Sequence, residues 1–396
     1  LVNSPEKTTA ITPIPPITKR ANLRNPCLQL IRTNIWQRDW LAAWLVGGVV
    51  GGLFVSLLLG AGITPLSDQD SWTTWGYNSR ALFVAGSITR FLAEQGQNEL
   101  NHPSYPPGQP LLTTWAYVAL GGIDERLGKL LMPFWYLALM GLVWTELRRR
   151  IRPWPAAGLT LLLATTPFLL DHAMLGNADL PFTVTMTLAA LGLLRWVEQG
   201  AWRWLLAGGL ALGMAAWIKL DGFYLGVALL TIGGLVRSVH LRQVRLAGWW
   251  TTWMGVLVAL LLLVGLQVAW QHLTQRAGIV SETPSSAMLM VNGWENGRRG
   301  LTVIASELLF SHNNSTWSLL GAGFHLLWVV CLGAVGLAGL RRWRAPGLLL
   351  FGLGVAAIVA FYGLIYVLRP YFSMERYLFH AAPLAILAAG YAFKDG

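Results

Sequence analysis

Two carboxylates, Asp68 and Asp70, stand two residues apart in the stretch SDQDSWTTWGYNSRALF, directly after the first long apolar run. Trp72, Trp75 and Tyr77 follow at once. A loop of this kind offers a catalytic carboxylate beside aromatic faces. The competing reading is a solvated turn or a helix N-cap, because aspartate favours both. Adjacency to a span and to an aromatic, amphipathic segment favours function for at least one of the two. Trp72, Trp75 and Trp294 suit stacking on a sugar face, although most of the 21 tryptophans belong to interfacial belts.

Four further stretches carry chemistry. HPSYPPG (102–108) combines prolines that stiffen the chain with a glycine that permits a sharp turn. It forms either the entry to an interfacial helix or a rigid rim that presents His102 or Tyr105 to a substrate. GNADLP (176–181) sets Asp179 just before Leu180-Pro181, where it caps a helix or joins Asp70 on the same face. KLDG (219–222) places Lys219 and Asp221 between two short apolar spans. Charge beside a span is costly and usually functional. Lys219 is therefore expected near an anionic group, the alternative being a pair with Asp221 that only neutralises itself. In RPYFSMERY (369–377), Arg369 and Arg376 lie at the opening of the last span with Tyr377 beside them. A guanidinium fork holds phosphate oxygens well; the alternative is snorkelling to lipid headgroups.

The elements that must position these residues are membrane helices. Of 396 residues, 55% are hydrophobic and only 12% charged, about half the charge of a soluble domain. Apolar runs of roughly twenty residues recur, the length of a bilayer crossing. The expected fold class is an all-α polytopic membrane protein. It has about ten transmembrane helices, near 40–62, 128–147, 155–173, 180–197, 204–219, 222–236, 248–270, 316–340, 347–368 and 377–393, with interfacial helices in the first outer loop. Segment 108–122 is assigned to the interface. With it left out, the basic clusters at 148–152, 195–203, 237–245 and 341–344 all fall on the inner side, as the positive-inside rule asks.

That topology defines residues 1–39 as a basic, mostly disordered cytoplasmic tail and 40–393 as the membrane module. Its outer loops are 63–127 and 271–315, and 394–396 is a cytoplasmic end. The chain opens on Leu1 rather than Met and stops just after a span, as a fragment of a longer protein would. The net charge of +11 comes in short clusters between spans, which argues against nucleic acid as a partner. Cys27 and Cys331 lie in unrelated settings, so neither a disulfide nor a cysteine metal site is expected. The sequence holds no GxxxxGK[ST], HExxH or GxSxG.

In this order and spacing, the stretches resemble the membrane-embedded glycosyltransferases of the C-type fold. Closest is the protein O-mannosyltransferase and aminoarabinose transferase superfamily, including glycosyltransferase family 39-like enzymes. The resemblance rests on Asp70 after the first span, HPSYPPGQP, NADLP, KLDG and MERYLFHAAP. It implies an inverting transfer from a polyprenyl-phosphate-linked sugar on the outer face of a bacterial-type plasma membrane. The implied acceptor is a lipid, a glycan or a protein. Members often carry Asp-Glu at the first-loop site; here Ser71 follows Asp70, so Asp70 and Asp68 both stand as candidate bases.

Asp70 is the expected general base, with Asp68 and Asp179 as supporting acids. Two close carboxylates resist ionising together, so a cation or donor near them is needed; Arg80, Lys219 and His102 are the candidates. Arg376, Arg369 and Lys219 are expected at the donor phosphate. His102, Tyr105, Trp72, Trp75 and Tyr377 are expected around the substrate. No cofactor and no metal are expected. Competing functions are a polymerase or ligase of lipid-linked glycans, a solute transporter, and a non-catalytic scaffold.

Overall fold

The computed structural model describes residues 26–95, 102, 104–243, 248–279, 293–310, 312–313, 316–317, 326–342, 344–368 and 374–393. Among these residues the regular structure is helical apart from one antiparallel pair of two-residue strands, β1 (His312–Asn313) and β2 (Thr316–Trp317). In chain order the helices are α1 (Pro26–Ile63), α2 (Tyr77–Ala85), α3 (Ile88–Gln95), α4 (Gly108–Leu120), α5 (Glu125–Gly128) and α6 (Leu131–Arg150). Then come α7 (Pro153–Ala164), α8 (Pro167–His172), α9 (Asp179–Gln199), α10 (Trp202–Ile218), α11 (Asp221–Gln243) and α12 (Trp249–Arg276). The last are α13 (Gly293–Phe310), α14 (Leu327–Arg342), α15 (Pro346–Leu368), α16 (Met374–Leu378) and α17 (Ala382–Ala392). Ser71–Gly76 forms a π-helical turn ahead of α2.

Helix α9 is the axis of the bundle. It is surrounded by α6, α10, α11, α15 and α17, and its residues are buried almost throughout. Its buried threonine hydroxyls find acceptors within the helix. The hydroxyls of Thr183 and Thr187 donate to the carbonyls of Asp179 and Thr183, at 2.8 and 2.7 Å. Glycine permits a close helix contact: a Cβ on Gly192 would lie 2.9 Å from Cα of Gly208 on α10. Any side chain there would push α9 and α10 apart.

Among the described residues, six helices are long and apolar enough to cross a membrane, by length and composition. They are Asp39–Ile63, Glu125–Arg150, Asp179–Gln199, Asp221–Arg242, Trp249–Arg276 and Pro346–Ile365. The remaining expected crossings form shorter helices, so the count of about ten is not reached by helix length. The segment expected at 155–173 is broken after Ala164, and α8 restarts at Pro167. Proline has no amide hydrogen and its ring clashes with the carbonyl four residues back, so α7 cannot run through. In the segment expected at 316–340, the described residues are strand at Thr316–Trp317 and helix from Leu327. Segment 108–122 folds as the 13-residue helix α4, too short for a crossing of about twenty residues. Of the expected tail, residues 1–25 lie outside the described residues, and α1 already runs from Pro26.

The two ends of α9 carry different chemistry. Asp179 opens it, and Arg195 and Glu198 close it. At the closing end, Arg150 donates to Glu146 at 2.9 Å and to Glu198 at 2.5 Å, Arg195 pairs with Glu146, and the Tyr391 hydroxyl donates to Glu146 at 2.9 Å. This network ties α6, α9 and α17 together. Twenty-one residues at 1.5 Å each separate the ends by about 30 Å, one hydrocarbon thickness. The positive-inside rule, applied to the basic clusters, leads us to expect the Asp179 end to face outward. Single cysteines in a cysteine-free background at the exposed positions Glu94 and Arg298 are then expected to react with an impermeant thiol reagent in intact cells. Protection of both until lysis would invert this orientation.

Candidate active site

Asp179 is the centre of the site and is fully buried. The NADLP turn places it: Asn177 Oδ1 accepts from the Asp179 amide at 3.3 Å, and α9 then starts with Asp179 in its first turn. The helix N-terminus itself favours a negative charge there.

Lys219 arrives from the break between α10 and α11. Its backbone is extended (φ −148°, ψ 139°), which ends α10 and turns the side chain towards α9. Gly222 makes that break compact, since a Cβ there would lie 2.4 Å from the Ala215 carbonyl. Lys219 Nζ donates to Asp179 Oδ1 at 2.8 Å and lies 3.2 Å from Asp221 Oδ2. Asp221 in turn accepts from the Tyr362 hydroxyl on α15 at 2.9 Å. Self-neutralisation of Lys219 by Asp221 is thus part of the arrangement, and Asp179 is the stronger partner.

Arg376, on α16, bridges two carboxylates. Its Nε donates to Asp179 Oδ2 at 2.5 Å, and its Nη1 donates to Asp70 Oδ2. Burial works against its charge, but the carboxylates of Asp179 and Asp70 outweigh burial and raise its pKa above the ordinary arginine value. Tyr377 stacks on Tyr362 with ring centroids 4.3 Å apart, and Lys219 Nζ sits 5.0 Å from the centre of the Tyr377 ring. Two imidazoles complete the surround. His172 Nε2 and His380 Nε2 lie 3.6 and 3.5 Å from the two Asp179 oxygens. His380 Nδ1 pairs with the Thr183 hydroxyl at 2.7 Å.

The structure therefore brings together Asp70, Asp179, Lys219, Arg376 and Tyr377, residues separated by up to 307 positions. It separates Asp68 from Asp70. Asp70 has helical dihedrals (φ −65°, ψ −37°) rather than extended ones, so residues two apart point to different sides. Asp68 Oδ2 accepts from the Ser71 amide and hydroxyl at 3.1 and 3.2 Å, capping the π-helical turn. The two carboxylates therefore do not face the same way.

The cation beside Asp70 is Arg376, none of the three expected. Arg80 pairs with Glu125, Lys219 with Asp179, and the His102 ring stacks on Tyr105 at 5.0 Å. Tyr105 packs at 5.9 Å against Trp75, which is buried, and the Trp270 indole donates to the Ser104 carbonyl at 2.9 Å. Trp75, Tyr105 and His102 thus anchor the 102–108 turn to the π-helical turn. Trp72 faces outward, 55% exposed. Arg369 lies outside the described residues. Sequence reasoning missed His172, His380 and Tyr362. The available signal was a histidine within an apolar run, a costly placement that points to a polar centre.

A lateral groove of about 720 Å³ runs between α10 and α12, from Trp202 past Gly209, Gly213 and Gly255 to Trp217. A second cavity of about 270 Å³ shares Met214 and Trp217 and continues to Gly108 and Trp115. Both are lined by Trp217, and the second also by Ile218, the residue before Lys219.

Residues 104–270 match the family model described as dolichyl-phosphate-mannose-protein mannosyltransferase. No curated protein matches significantly. The fold is similar to that of ArnT from Cupriavidus metallidurans bound to undecaprenyl phosphate, at 20% identity and a TM-score of 0.58, covering 88% of this chain and 60% of that one. The apo state of the same protein gives 20% identity and a TM-score of 0.58, covering 89% and 60%. The chain thus spans about three fifths of the length of these structures. The resemblance seen in the motifs thus has two independent counterparts: residues 104–270 match a mannosyltransferase family model, and the chain shares the fold of the membrane protein ArnT.

Proposed function

We propose that this protein is an integral-membrane glycosyltransferase. It moves a sugar from a polyprenyl-phosphate donor to an acceptor hydroxyl at the extracytoplasmic face, with inversion at the anomeric carbon. The observation that carries this reading is the convergence of Asp70, Arg376, Asp179 and Lys219 in one cluster. A carboxylate and two permanent cations within one side chain's reach are what the reaction needs.

The acceptor oxygen attacks the anomeric carbon as its proton passes to the Asp70 carboxylate. The bond from that carbon to the phosphate oxygen breaks, and its electron pair leaves on the phosphate. Arg376 and Lys219 stabilise that growing charge, which is where preorganised donors contribute most. Asp179 positions both cations. Attack opposite the departing phosphate gives inversion. The isoprenoid chain lies in the apolar groove beside α10, which reaches Trp217, two residues before Lys219. The acceptor is a lipid, a glycan or a protein hydroxyl that reaches the cluster from the outer loops at 63–127 and 271–315.

The test is transfer by the protein in lipid vesicles, offered a panel of radiolabelled polyprenyl-phosphate sugars with cell-envelope acceptors. One donor is expected to be consumed. For that donor, Arg376→Lys keeps the charge but loses the planar fork, so KM is expected to rise about tenfold or more. Unchanged KM and kcat in Arg376→Ala would reduce Arg376 to a headgroup anchor, and no transfer from any donor would reject the assignment.

A further inference from the structure

The resting charges of the site do not suit an incoming anion. Three carboxylates, Asp70, Asp179 and Asp221, face two permanent cations, Lys219 and Arg376. Both cations are already engaged, Lys219 with Asp179 and Asp221, Arg376 with Asp179 and Asp70. A phosphate can gain Arg376 only if a carboxylate gives way.

The three carboxylates differ in how hard they are to move. Asp179 has a fully buried side chain, gripped by both cations; pulling it out would strand two buried charges, the costly way to break such a pair. Asp221 is 18% exposed, and both Lys219 and the Tyr362 hydroxyl hold it. Asp70 is 44% exposed, and among the described residues its ion pair is with Arg376 alone, through one oxygen. Water reaches it, so rehydration offsets the loss of the pair. It also sits at the mouth of a six-residue π-helical turn, a rare geometry that collects at functional sites.

We propose that Asp70 and the donor phosphate compete for Arg376, so that donor binding itself releases Asp70 to act as the base. This rests on the reading of Arg376 as the donor-phosphate ligand. In the resting state, one oxygen of Asp70 is held by the guanidinium, and the carboxylate is turned towards Arg376. When a phosphate oxygen takes its place on Nη1, one anion replaces another at Arg376, and the carboxylate turns free beside the sugar. The base is then available only when a donor is present to be attacked. Asp179 stays paired throughout and keeps Arg376 Nε and Lys219 in place for the arriving phosphate.

The experiment is equilibrium binding of undecaprenyl phosphate to the full chain in lipid nanodiscs, with undecaprenol as the uncharged control. Removing the competing carboxylate is expected to tighten binding of the phosphate about tenfold in both Asp70→Asn and Asp70→Ser, the scale of one charge-assisted contact. The gain should vanish when Arg376→Ala is added, because the competition then has no object. If the unmodified chain binds the phosphate and both Asp70 variants bind it equally or more weakly, the exchange is overturned while the donor-site reading stands. If neither the unmodified chain nor the variants prefer undecaprenyl phosphate to undecaprenol, the donor-site reading fails and the exchange fails with it.

Discussion

Asp70→Asn is expected to lower kcat for sugar transfer by roughly 10²–10⁴-fold, the usual contribution of a general base, while the donor is held at least as tightly as before. Asparagine keeps the shape of the side chain and can still accept from Arg376 through its amide oxygen. It cannot take a proton from the acceptor hydroxyl. The separation of the two effects is the informative part. A loss confined to kcat places the residue in the chemical step, whereas a rise in donor KM would make Asp70 part of the binding site only. Asp68→Asn serves as the comparison. Asp68 caps the π-helical turn through Ser71, so its loss is expected to cost about 1 kcal/mol of local stability and little turnover. Near-normal turnover in Asp70→Asn beside an inactive Asp68→Asn would exchange the two roles. Full activity in both would defeat a carboxylate-based mechanism.

The different outcomes for Asp68 and Asp70 show how far the sequence could be read. Asp70, Asp179, Lys219 and Arg376 were recognisable individually because each is a charge beside an apolar run, where charge is expensive. Their mutual pairing was not. It depends on α9, α16 and the break between α10 and α11 meeting at one point, which is a property of packing. An extended backbone would set Asp68 and Asp70 on one face, whereas the short π-helical turn gives Asp70 helical dihedrals. His172 and His380 reach Asp179 from α8 and from the 3₁₀ turn Phe379–Ala381, so no local spacing announces them. The long apolar helices were legible from composition, whereas the interruption at Pro167 was hidden inside an unbroken apolar run. Hydropathy averages over a window, and a single missing amide hydrogen does not register in it.

The second large effect is expected at Asp179. Asp179→Asn removes the one carboxylate that both cations share, and it does so in a fully buried position. Lys219 then keeps only Asp221, and Arg376 only the more exposed Asp70. Losing one partner of a buried ion pair costs about 3–5 kcal/mol, because the other charge stays behind without adequate compensation. Asp179→Asn is therefore expected to unfold at clearly lower temperature or denaturant than the unmodified chain, and to lose transfer because Lys219 and Arg376 no longer converge. A structural role alone would predict the same result, so a second substitution is needed. In Asp179→Asn with Lys219→Met, both charges of the pair are gone and a methionine fills the lysine's volume. Stability is expected to return in large part, since replacing a buried pair by apolar packing is often neutral or favourable. Transfer is expected to remain lost, because the phosphate has lost one of its two cations. Unfolding midpoints and donor turnover measured on the three proteins in the same lipid decide the matter. If Asp179→Asn alone is as stable as the unmodified chain, the cations are held by something other than Asp179. If the double variant regains both stability and transfer, Lys219 has no part in holding the donor phosphate.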